Sequence, residues 1–121
     1  MGMEEFRRYM NELEVLSQEI ETSPEFKMTA GSVSRAELLH RFNLHRAMVN
    51  LLHFVTVHMM RADAQDYDME SERWILGALD QASEEIRNGL ALPLPVEAQH
   101  LAEQSLKLSN QILADIHTVA A

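Results

Sequence analysis

Ala47-Met-Val-Asn-Leu-Leu-His-Phe-Val-Thr-Val-His-Met-Met60 is the stretch on which the fold turns. These fourteen residues carry no charge, no glycine and no proline. Projected as a helix at about 100° per residue, they place apolar side chains on nearly every side. A helix apolar all round is either buried all round or waiting for a partner. The stretch forms the second half of a longer helical pattern. That pattern opens at Ser34-Arg35-Ala36-Glu37, a capping box in which Ser34 and Glu37 each satisfy the other's free backbone N–H. It ends near Arg61 or Ala62, about 28 residues on, and spans about 40 Å at 1.5 Å per residue.

The faces of this helix divide the reading. Leu38, Phe42, Val49, Leu52, Thr56 and Met60 form one stripe, the natural core face. Leu44, Ala47, Leu51, Val55 and His58 form the opposite stripe, with Phe54 at its edge. Asn43, Arg46, Asn50 and His53 separate the two on one side. A four-helix bundle buries one face per helix, which leaves the second stripe as surplus. Such a patch is a binding site or an aggregation hazard. Leu44, Ala47, Leu51, Phe54, Val55 and His58 are therefore the expected partner or dimer interface, a two-fold homodimer being the simplest solution. The competing arrangement is an irregular bundle in which this helix is central and wrapped by the other three.

Outward from this helix the chain is ordinary soluble helix. Met3, Phe6, Met10, Leu13, Ser17 and Ile20 follow a 3-4 spacing, widened by Leu16, and predict a helix over about Met3–Glu21. Pro24 should stop it, with Ser23 capping a short turn through Met28, and Thr29-Ala30-Gly31-Ser32 reading as loop. After an acidic connection, Asp68 caps a third helix with Ile75, Ala78, Leu79, Ala82 and Ile86 as its core stripe. Asn88-Gly89 is its stop signal, the glycine taking a left-handed conformation. Pro93 and Pro95 hold an extended linker. From Pro95 to about Val119, Ala98, Leu101, Ala102, Ser105, Leu108, Ser109, Ile112, Ile116 and Val119 line one face of a fourth helix. The expected fold is all-α: a single domain over 1–121, an up-down-up-down four-helix bundle with a long, nearly all-round apolar second helix.

Composition narrows the function. With no cysteine, disulfides, thiolate metal sites and cysteine nucleophiles are excluded. The N-terminal residues do not read as a signal peptide, and fourteen apolar residues are too few to span a bilayer, so no membrane association and a cytoplasmic location are expected. The net charge of −9 opposes nucleic acid. It is unevenly spread: residues 1–26 carry −5, residues 27–61 carry +4 and residues 62–121 carry −8. A basic, apolar centre thus sits between acidic arms, which either fold against it or leave part of it to face an acidic partner.

Three constellations invite chemistry. Glu37-Leu-Leu-His40 and Glu97-Ala-Gln-His100 have the Glu-x-x-His spacing of di-iron bundles, but all four side chains lie away from the core stripes, and each glutamate has a capping or first-turn role. The pairs His40/His45 and His53/His58 are five apart, so neither can chelate one ion. Ala30 to Phe42 has the look of a helix-turn-helix turn and recognition helix, yet the helix that follows is far too long for one. No catalytic nucleophile is evident. The expectation is therefore no enzyme, no cofactor and no bound metal. The chain is expected to be a small regulatory protein working by protein–protein contact, antiactivator-like, occluding a partner such as a transcription factor and pairing with itself. The alternatives are a bundle holding a small ligand, haem or metal in its core, and a detached helical domain of a larger protein.

Overall fold

A computed structural model describes residues 1–26, 34–65 and 68–120, apart from the side chains of 118–120. It contains helices α1 (Met3–Thr22), α2 (Arg35–Asp63), α3 (Met69–Leu90) and α4 (Val96–Ala120), with a 3-10 turn at Pro24–Phe26. The expected loop over 29–32, the end of the preceding turn, and the Asp66-Tyr67 part of the acidic connection lie outside the described residues.

Local signals set the helix ends. Ser23 Oγ accepts from the N–H of Glu25 as Pro24 opens the 3-10 turn. Ser34 Oγ accepts from the N–H of Glu37 at 3.2 Å, one half of the capping box. Asp68 accepts from the N–H of Glu70 at 3.1 Å and from the Ser71 hydroxyl at 2.8 Å, and these bonds, the hydroxyl first, hold its pKa below the ordinary value. Pro95 precedes α4, and its carbonyl accepts from the N–H of Gln99.

One stop signal acts differently from its reading. Gly89 takes no left-handed conformation; α3 continues through it to Leu90. Gly89 is buried in the last turn, where a Cβ would stand 3.1 Å from Leu44 Cδ1. Close approach of α3 to α2 explains the glycine. Among the described residues the positive φ is instead at Gln65, 55°, just beyond α2.

Contacts between elements give the expected alternation of direction. Tyr9, early in α1, donates to the carboxylate of Asp115, late in α4. Phe54 of α2 meets Trp74 of α3, while Leu44 meets Gly89, so these two helices run antiparallel. His58 near the end of α2 faces His117 near the end of α4, so these two run parallel. The bundle is irregular in one respect. Helix α2 packs against α1, α3 and α4, most extensively against α3, and is the central helix.

That central position reverses the faces of α2. Leu44, Ala47, Met48, Leu51, Leu52, Val55, His58 and Met59 are buried, with Leu51 and Val55 at 0% exposure. Phe42 and Val49, at 46%, and Met60, at 50%, face outward; Leu38 and Thr56 are half-buried, and of the expected core face only Leu52 lies inside. The reason is polarity beside each stripe. From Leu44 to Met59, the buried arc holds apolar residues and one histidine. Burying Phe42, Val49 and Met60 would carry Arg46 and His53 into the core with them, and an unpaired buried charge is far more costly than an exposed valine.

Helix α1 is also rotated from its expected stripe. Tyr9, Leu13, Leu16 and Ile20 are buried, whereas Met3 and Ser17 are exposed. Helix α3 buries Ile75, Leu79, Ala82 and Ile86 of its expected stripe and leaves Ala78 half-buried; α4 buries Ala98 through Ile116, and the side chain of Val119 lies outside the described residues. The small residues Ala98, Ala102, Ser105 and Ser109, all at 0–1% exposure, permit close approach on α4.

Candidate contact surface on the central helix

The residues expected to form a partner interface do not form a surface. Leu44, Ala47, Leu51, Val55 and His58 lie in the core, sealed by the protein's own helices. Of that set, Phe54 alone reaches the outside, half-buried on the rim of α2. The surplus apolar face is instead the stripe of Phe42, Val49 and Met60, extended towards the N-terminus of α2 by exposed Leu39.

Beside this stripe lies a groove between α2 and α3 of about 610 Å³. Arg46, Asn50 and Phe54 form its α2 wall; Arg73, Trp74 and Gln81 line its α3 side, with Gly77 and Ala78 between. The antiparallel run of α2 and α3 brings these walls together, and the small residues at 77 and 78 hollow it. Trp74 is 65% exposed. Its ring meets Phe54 edge-on, centroids 5.3 Å apart and planes at 80°. Phe54 in turn meets the His53 ring at 5.3 Å. An exposed tryptophan held at one edge by a second aromatic has its orientation set in advance. Trp74 is not part of the stripe Ile75, Ala78, Leu79, Ala82 and Ile86 expected for α3. Its signal, in retrospect, is its position off that stripe and next to Arg73.

The charge of the groove is distinctive in so acidic a protein. Among the described residues the ion pair is Arg41–Glu25, at 3.7 Å. Among the same residues Arg46 and Arg73 have no carboxylate within ion-pair reach. The groove's own carboxylate, Glu85, accepts from the Gln81 amide at 3.4 Å.

The histidines separate as their spacing requires. His53 is exposed and His58 is buried. A pair the spacing could not reveal joins two helices: the His58 and His117 rings lie 6.1 Å apart. Among the described residues the buried His58 Nε2 has no hydrogen-bond partner. Burial, then the neighbouring His117, with Arg61 adding to them, hold the His58 pKa below the ordinary 6.5, against an opposing pull from Glu72. Glu37, Glu97 and His100 are exposed, and His40 is half-buried. Among the described residues no three His, Asp or Glu side chains come together as a metal site. Nor is any described helix long and apolar enough to cross a membrane. The segment Arg35–Phe42, likened to a recognition helix, is the first part of the 29-residue central helix.

No protein-family model matches this chain, and no curated protein or solved structure matches it.

Proposed function

We propose that this chain is a small cytoplasmic regulatory protein that acts by contact with a protein partner, occluding a surface on it as an antiactivator occludes a transcription factor. The contact surface in this reading is the outward side of α2 with the adjoining groove at Trp74. One observation supports it above the others: the longest helix of the bundle turns Leu39, Phe42, Val49 and Met60 outward, each 46–60% exposed. Fully burying such a side chain is worth about 1.5–3 kcal/mol, so covering this row together with Trp74 offers a partner several kcal/mol. Any self-pairing of the chain in this reading uses the same row.

The test is co-purification of partners, with sizing by light scattering, for Val49→Glu and Phe42→Glu against the unaltered chain. Both side chains are half exposed, so the variants keep the helical circular dichroism and thermal transition of the parent. They lose captured partner and any self-association. Unchanged capture and unchanged mass in both variants would remove this function for the α2 stripe.

A further inference from the structure

We propose that the groove between α2 and α3 seats an acidic amphipathic helix of the partner, its apolar side chains against Trp74 and Phe54 and its carboxylates on Arg46 and Arg73; this rests on the contact reading above. Three features of the groove favour that occupant. Its shape suits a helix: an added Cβ on Gly77 meets nothing within 4 Å, so the space over α3 there is open. From Arg73 to Gln81 the wall runs about 12 Å at 1.5 Å per residue, enough for anchors one and two turns apart. Its chemistry is that of an anchoring centre, because tryptophan and arginine dominate binding energy at protein interfaces.

Charge then selects among occupants. Among the described residues Arg46 and Arg73 carry no ion pair, although the chain as a whole is −9. Carboxylates on a docking helix match these two cations, and they accept guanidinium groups in a forked geometry. A second copy fits less well. A two-fold pairing of α2 gathers Arg46 and His53 against their own kind, and a copy that instead offered its acidic arms would leave a groove open at each end, which does not close into a dimer. The net charge also repels another copy at a distance.

The test displays a library of 18-residue helical peptides. Apolar anchors are drawn at random, and the flanking positions vary among Glu, Gln and Lys. Binding is read on the emission of Trp74, the single tryptophan of the chain. The expected result is enrichment of Glu-flanked peptides that shift Trp74 emission on binding. Their affinity, measured by calorimetry for every variant because Trp74→Ala removes the fluorescent reporter, falls at least tenfold in Arg46→Glu/Arg73→Glu and is likewise reduced in Trp74→Ala, with circular dichroism unchanged in both. Enrichment of Gln- or Lys-flanked peptides, binding indifferent to these substitutions, or no enrichment at all overturns the proposal. So does a concentration-dependent dimer that the double charge reversal dissolves, because the groove then belongs to a second copy. If the groove selects nothing while Val49→Glu still abolishes partner capture, the acidic-helix assignment fails and the wider contact reading stands.

Discussion

His58 is the residue whose burial has the most direct thermodynamic consequence. The residue is 1% exposed, its Nε2 has no partner among the described residues, and a second imidazole lies 6.1 Å away. The folded chain therefore prefers it neutral, and its pKa lies below the unfolded value near 6.5. Below that pH the unfolded chain takes up the proton first, so the folded state loses stability. The contribution is intact above about pH 6.5 and is lost as pH falls through the lower folded pKa. Urea midpoints measured from pH 7.5 down to 5 should fall for the unaltered chain, and the part of the slope due to this site should vanish in His58→Met, which keeps a side chain of similar bulk. An identical slope in the two proteins would mean that His58 does not titrate differently on folding. From the sequence, His58 was already marked as a residue of interest, but on a surface. Its five-residue distance from His53 showed that the two diverge, without showing which one goes inside.

At the scale of the element, the two glycines of α3 make opposite predictions. Gly77 has open space where a Cβ would stand, so Gly77→Ala stabilises the helix by about 0.5–1 kcal/mol through its better helical propensity. Gly89 would put that Cβ 3.1 Å from Leu44 Cδ1, and Leu44 is itself buried at 2% exposure and cannot easily withdraw. Gly89→Ala thus lowers the thermal midpoint where Gly77→Ala raises it, and a rise in both would refute the close approach of α3 to α2. These elements also show what the sequence can convey. Helices α3 and α4 each carry a single apolar stripe against charge on the other side, so their buried faces were legible but for half-buried Ala78. Ser34, Asp68 and Pro95 marked helix starts because their chemistry is local. Helix α2 has an apolar stripe on two sides, and periodicity alone cannot rank two stripes. The deciding information lay in Arg46 and His53 beside one of them. Gly89 misled because a glycine that ends a helix and a glycine that admits a neighbour look alike in one dimension.

For the whole molecule, the consequence of a central α2 is that three helices wrap one side and leave the other in water. An all-α four-helix bundle was legible from helix count and connection length. The identity of the outward side was not read from periodicity, because it is set by Arg46 and His53 beside that stripe and not by the apolar spacing. The interface first expected at Leu44, Ala47, Leu51, Val55 and His58 is core, while Phe54 lies at the rim of the surface now assigned. Everything proposed about function follows from this orientation, and the absence of cysteine from the chain makes it directly measurable. Single substitutions Val49→Cys and Leu51→Cys, two residues apart on opposite sides of α2, are exposed to a thiol reagent under native conditions, and each rate is compared with that of the same variant unfolded in urea. The structure predicts that the thiol at position 49 reacts within about tenfold of its unfolded rate, while that at position 51 is protected by several orders of magnitude, since it becomes accessible only through opening of the core. Equal protection at the two positions, or greater protection at 49, would contradict the orientation of α2 and the contact surface built on it.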